Sequence, residues 1–223
     1  MTALSIGRGR PANPKKKKAI VRAAYELFVD HGYCVSMDDI AAKAGVSKQT
    51  IYNLSLTKEI LFGEVIAVAS TKMVEAIPSP DESATIKDGL LRVAHEFLRL
   101  MTGNRVSAAY RMMINAPGDS GQNLARAYFE NGPDRVIGYL ADYFMNQNRL
   151  GRLHVDDVRM AAECFFGMLN SQIQVRNILK IQHVWDEDYL ARKAEYCVAA
   201  FLAHHGHAVP GNQDAEAYKI IPS

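Results

Sequence analysis

The chain has 223 residues, 48% of them hydrophobic and 22% charged, with a formal net charge of only +2. That is ordinary globular composition, enough for one small and one larger domain, and no apolar run reaches the roughly 18 to 20 residues that a membrane span needs. The charge is unevenly placed: residues 1–59 carry 10 Lys and Arg against 5 Asp and Glu, and residues 60–223 carry 16 against 19, as expected of a basic, DNA-facing head on a body with another task.

Residues 1–14, MTALSIGRGRPANP, are rich in Gly, Pro and small polar residues and read as a flexible basic arm. Arg8 and Arg10 lie in it and Lys15, Lys16, Lys17 and Lys18 follow, a set suited to phosphates or to an adjacent minor groove. From Lys15 to His31 the apolar residues Ile20, Ala23, Ala24, Leu27 and Phe28 fall at helical spacing, and Gly32 supplies the stop. Cys34, Cys164 and Cys197 are far apart, odd in number and form no CxxC, so reduced thiols in a cytoplasmic protein are expected. The basic N-terminus lacks the apolar stretch of an export signal.

The most informative stretch runs from Ser36 to Ser55, SMDDIAAKAGVSKQTIYNLS. Ser36 with Asp39 three residues on makes a capping box, and Ser47 is a second N-cap. Gly45 can take the positive φ that ends the first of two short helices, while Ala41 and Ala44 let them cross closely. Ile40, Val46, Ile51 and Leu54 complete an inward pattern, which leaves Lys48, Gln49, Thr50, Tyr52 and Asn53 on the outer side of the second helix. Gln and Asn can pair with adenine edges, Lys with guanine or phosphate, and Thr and Tyr with phosphates or the thymine methyl. Polar residues alone favour a solvated face; the turn chemistry around them reverses that and decides for a helix-turn-helix that reads DNA.

A fourth helix is expected from Thr57 to about Ile77, with Ile60, Leu61, Val65 and Val68 turned inward and Pro78 and Pro80 ending it. The rest reads as helices: Ser83 to Met101, Asn104 to Asn115, Ser120 to Asn131, Pro133 to Leu150, Asp156 to Lys180 and Asp186 to His205, separated by Gly103, Pro117-Gly118, Gly132-Pro133 and Gly151. No period-2 strand pattern and no repeat is present. The expected architecture is all-α, with the flexible arm 1–14, a DNA-binding domain 15–56, a helical regulatory and dimerisation domain 57–207, and an extension 208–223.

These residues resemble the TetR (tetracycline-repressor) family of transcriptional regulators. The resemblance is densest over residues 19–66, in ELF-x3-GY, SMDDIA-x3-GVSK-x-T-x-Y and TKE-x-LF. RMMINAPG, ARAYFENGPDRVIGYLADYF and GRLHVDDVRMAAECFFGML are similar to the AefR-like subgroup. The resemblance implies an all-α homodimer on a palindromic operator, released by a small-molecule effector bound in the body. It assigns Lys48, Gln49, Thr50, Tyr52 and Asn53 to recognition-helix contacts, Ser36 to a phosphate contact and Lys58 to another. One departure stands out: where the family usually reads Tyr-x-His-Phe, this chain has Tyr52, Asn53, Leu54 and Ser55. Leu54 is expected to fill the place of the missing aromatic.

In the body, Phe97, Met101, Tyr110, Met113, Phe129, Tyr139, Phe166 and Trp185, with Asn170 and Gln174 as polar fixers, are candidate pocket residues; plain core is the competing reading. Residues 158–179 are apolar nearly all round, so that helix must be covered on more than one side. Phe165, Leu169 and Ile173, with Tyr189, Tyr196 and Ala200 of the last helix, are the expected dimer interface. His204, His205 and His207 have no cysteine or carboxylate cluster beside them, so a solvated tail is expected there rather than a metal site. No GxSxG, phosphate loop, HExxH or paired-Cys metal signature supports enzyme chemistry or a cofactor. An enzyme built on the helical body and a non-specific architectural DNA-binding protein are the alternatives.

Overall fold

The computed structural model describes residues 14–54, 56–79, 85–181 and 185–206, with the side chain of Tyr33 left aside. Among these residues the fold is helical, and the one isolated β-bridge pairs Leu153 with Gly206. The head is α1 (Pro14–His31), a 3-10 turn (Gly32–Cys34), α2 (Met37–Ala44) and α3 (Lys48–Asn53). Next come α4 (Lys58–Ala69) and α5 (Thr71–Ala76), then the body: α6 (Ile86–Thr102), α7 (Asn104–Asn115), α8 (Ser120–Asn131), α9 (Pro133–Arg149), α10 (Val158–Asn170), α11 (Ile173–Ile178) and α12 (Glu187–His205).

Two predicted helices are broken. The fourth is interrupted at Ser70, whose hydroxyl donates to Ala67 O at 3.0 Å and reaches Asn131 O of α8 at 3.3 Å. A serine bonding back to a carbonyl of its own helix bends it, and here the bend is held from outside. The predicted helix over 156–180 is interrupted at Ser171, which adopts φ 35°. No glycine or proline marks that break, so nothing in the local sequence announces it.

The buried residues form two clusters. One gathers Leu90, Val93, Ala94 and Leu98 of α6 with Leu140 and Phe144 of α9, Phe165 and Leu169 of α10, and Val198 and Phe201 of α12. The other joins Ile20, Ala24 and Phe28 of α1, Ile40 of α2 and Ile51 of α3 to Leu61, Phe62 and Val65 of α4, and then to Met113, Leu124 and Tyr128 of α7 and α8. Packing therefore runs across residue 57. Apolar side chains surround α4, so periodicity could not choose its faces: with α1 on one side and α8 on another, Leu61 and Phe62 are enclosed, whereas Ile60 and Val68 are 45% and 59% exposed.

Near the end of the chain, His205 packs against Phe201 with ring centroids 4.7 Å apart, and its Nδ1 lies 3.4 Å from His154 O. It is thus half-buried rather than part of a solvated tail. His207 and the extension 208–223 fall outside the described residues.

Candidate DNA interface and ligand cavity

The head is set up by short-range side-chain chemistry. Ser36 Oγ accepts from Asp39 N at 3.1 Å while Asp39 Oδ2 accepts from Ser36 N at 2.9 Å, completing the capping box. The Ser36 hydroxyl, which donates to Asp39 Oδ2 at 2.6 Å, and then the Ser36 N–H hold the Asp39 carboxyl below the usual carboxylate range. Gly45 closes α2 at φ 66° with its N–H directed at Ala41 O and Ala42 O. Ser47 Oγ then accepts from Thr50 N at 3.2 Å to start α3. Ile51 is buried and pins α3, and Tyr52 and Asn53 are left exposed. Leu54 is half-buried and Leu56 buried, both against the head core; Ser55 lies outside the described residues. The apolar anchoring at this end of α3 is thus shared with Leu56, which lies beyond the helix-turn-helix spacing.

The outward groups of α3 are partnered within the free protein. Lys48 Nζ donates to Asp38 Oδ2 at 2.7 Å, which raises the lysine pKa, and Gln49 Nε2 donates to Asn53 Oδ1 at 2.8 Å. Both pairs are exposed, where solvent screens them, so a nucleic acid can exchange them at small cost. Asp38→Asn is accordingly expected to raise DNA affinity about two- to fivefold on any sequence, the size of a lost exposed pair. Fluorescence anisotropy at fixed salt reads this, and unchanged affinity would show that Lys48 does not reach DNA.

The four lysines divide. Lys15 and Lys16 are exposed on the first turn of α1, whereas Lys17 Nζ is bonded to Glu64 Oε1 of α4 at 2.6 Å and Lys18 faces a groove between α1 and the body. Lys58, at the start of α4, is half-buried, and desolvation lowers its pKa. Arg8 and Arg10 fall outside the described residues.

A cavity of about 200 Å³ lies where the head meets the body. Tyr25, Phe28 and Val29 of α1 and Phe62, Val65, Ile66 and Ala69 of α4 form one side, and Phe97, Leu100, Met101, Val106, Met112, Val136, Ile137 and Phe166 of the body the other. Its few polar members are Tyr25, Ser70, Tyr128 and Arg105. Ser70 is already bonded, and burial pushes the Tyr128 hydroxyl strongly upward, so it stays protonated. Of the ten expected pocket residues, Phe97, Met101 and Phe166 line this cavity, and the other seven are placed elsewhere. Met113 is core and Tyr110 meets Tyr128 edge-on. Phe129 and Tyr139 are 42% and 45% exposed, the latter beneath Arg135. Trp185 packs by Tyr189, and Asn170 Nδ2 donates to Gln174 Oε1 at 2.7 Å across the α10–α11 break. The α1 and α4 residues of the cavity lie outside the body, where bulky apolar residues alone do not mark a pocket. Tyr25 and Val29, apolar yet off the core stripe of α1, were the available signal.

The expected interface residues also divide. Phe165, Leu169 and Ile173 are buried inside the subunit, so they are corrected to core, while Tyr189, Tyr196 and Ala200 are exposed. The outer face of α10 is instead Met160, Cys164, Gly167 and Met168. Cys34 is exposed and Cys197 buried, and all three thiols are free. Among the described residues no group of three or more His, Cys, Asp or Glu is placed to hold a metal ion, and no helix is long and apolar enough to cross a membrane.

A capped helix-turn-helix on a helical body with a cavity at the joint defines a DNA-binding regulator. Residues 20–65 match the model of bacterial regulatory proteins of the TetR family, and residues 88–207 match that of the C-terminal domain of AefR-like transcriptional repressors. The chain belongs to the TetR family and is a transcriptional regulator, not an enzyme. A helix-turn-helix-type regulator of Bacillus subtilis strain 168, YdeS, is 32% identical over 122 residues, which span 54% of this chain and 59% of that relative. A TetR-family regulator of Mesorhizobium loti MAFF303099 is 30% identical with a TM-score of 0.73, covering 89% of this chain and 100% of the other. The flavonoid-responsive regulator FrrA is 28% identical with a TM-score of 0.70, covering 88% and 100%.

Proposed function

We propose that the protein is a homodimeric repressor, acting in the cytoplasm, that binds a palindromic operator and is released by a small molecule held in the cavity at the head–body joint. The observation that carries this reading is the cavity's position: its walls include α1 and α4, the helices that carry the head. A ligand there bears on head spacing directly, and FrrA, by its name, responds to flavonoids. Paired α3 helices about 34 to 36 Å apart would enter successive major grooves. Reversing occupancy from 1:99 to 99:1 requires a ligand preference of ~5.5 kcal/mol between the two head spacings.

Dimerisation is assigned to the outer faces of α10 and α12. Gly167 lies in mid-helix on the outer face of α10, and a Cβ there would meet nothing within 4 Å. Mid-helix glycine costs about 1 kcal/mol relative to alanine and has no reason within this subunit; a second helix approaching closely supplies one. Tyr196 of α12, which borders one surface groove with Met168 of α10, is 78% exposed.

The test is selection of genomic fragments by the purified protein followed by footprinting. One inverted repeat protected is the expected result, and uniform binding of all sequences would overturn the reading. Within the head, Gln49→Ala is expected to cost ~1 to 3 kcal/mol on the selected site and little elsewhere. Lys15 and Lys16 neutralised together should weaken every sequence and flatten the salt dependence. An equal loss on all sequences for Gln49→Ala would remove that residue from base readout.

A further inference from the structure

The cavity adjoins a groove between α1, α4, α5, α6 and the start of α7; Tyr25, Val29, Ala69, Met73, Leu100 and Arg105 border both. The two compartments differ sharply in chemistry. The inner one is apolar apart from Ser70, which is already bonded, Tyr25 and Tyr128, and Arg105 at its edge. Along the groove, Lys17 and Arg22 are engaged by Glu64 and Glu26, but Lys18, Lys72, Arg99 and Arg105 make no ion pair among the described residues. Among the described residues, Glu96 is the only other carboxylate on its walls. Arg105 stands at the junction, its guanidinium 5.5 Å from the centre of the Tyr25 ring, which orients the side chain and leaves its charge unneutralised. Four cations against one carboxylate repel one another unless an anion joins them.

From this arrangement we infer that the effector is an amphipathic anion, with an apolar chain or ring in the cavity and a carboxylate-type end in the groove between Lys18 of the head and Arg99 and Arg105 of the body. The inference rests on the cavity being the effector site. Cavities of about 150 Å³ hold a benzene ring, so a volume of about 200 Å³ takes an apolar group somewhat larger. The rest of the molecule has to lie in the groove, among the cations. An anion there attracts α1 and the α6–α7 corner to the same point and so ties the position of the head to that of the body. A neutral ligand of the same shape fills the cavity without making that tie.

The experiment compares decanoate with decan-1-ol, which share a chain and differ in the end group, by calorimetric titration of the full-length protein. Decanoate is expected to bind at least tenfold more tightly at low ionic strength, with the margin shrinking as salt screens the groove. In the Arg99→Gln, Arg105→Gln double variant decanoate should lose at least tenfold in affinity while the alcohol changes far less, so that the two converge, and Arg99→Lys, Arg105→Lys should restore most of the difference. Both positions are exposed or peripheral to the core, and circular dichroism checks that the variants fold. Equal binding of acid and alcohol by the unaltered protein would overturn the anionic end and leave the cavity as a binding site. Binding of neither would overturn the cavity itself as the effector site, and with it this inference.

Discussion

Arginine in place of Tyr196 is expected to convert the proposed dimer to monomers and to lower operator affinity by about 30-fold or more, the equivalent of losing one interface hot spot of ~2 kcal/mol. The side chain stands outside the subunit core on α12, next to Cys197 and above a shallow groove that it shares with Met168 and Tyr189. In one subunit alone, Tyr196→Arg changes little, because a residue 78% exposed buries almost nothing there. Against a second copy of the same face, a two-fold axis brings two arginines toward one apolar patch, and each charge is desolvated without a partner. Light scattering and operator binding measured on one preparation separate the effects. Monomers that still fold, judged by unchanged helicity, are the predicted product. A variant that remains dimeric and binds normally would move the interface off α12.

Phe62→Ala is expected to destabilise the fold by roughly 3 to 5 kcal/mol, the usual cost of emptying a buried aromatic site. For a chain of this length that corresponds to a fall in Tm on the order of 10 °C. Phe62 is 1% exposed, meets Phe28 of α1 edge-on with ring centroids 5.9 Å apart, and forms part of the cavity wall. Its loss removes a contact between α1 and α4 and enlarges the cavity together. Urea denaturation gives the stability, and the calorimetric titration with decanoate gives the second effect, a changed affinity. A loss below 1 kcal/mol would mean that the cavity collapses onto the vacancy and that the joint is softer than its packing suggests.

Helix starts and stops were legible in the sequence to within a few residues wherever a side chain caps its own backbone. Ser36, Ser47, Thr57, Asp157 and Asp186 accept hydrogen bonds at helix N-termini, and Gly45 takes the left-handed conformation at the end of α2. Such signals act over three or four residues, so one sequence suffices to read them. The same holds for the outward set on α3, which is what remains once Ile51 is turned inward. The breaks at Ser70 and Ser171 were not legible. The first is held by Asn131, distant in the chain, and the second lacks the glycine or proline that usually marks a stop.

By itself, then, the sequence determined an all-α regulator with a capped DNA reader at one end, because capping, turn residues and helical periodicity are local. The tertiary structure alone decided which side of each all-round apolar helix faces what. It put Phe165 and Leu169 inside the subunit and Met160, Gly167 and Met168 outside, enclosed Phe62 while exposing Val68, and drew the cavity from α1 and α4 as well as the body. A helix apolar on every face has no preferred inner side of its own; its neighbours select one by what they can cover, and those neighbours are fixed only when the whole chain has packed.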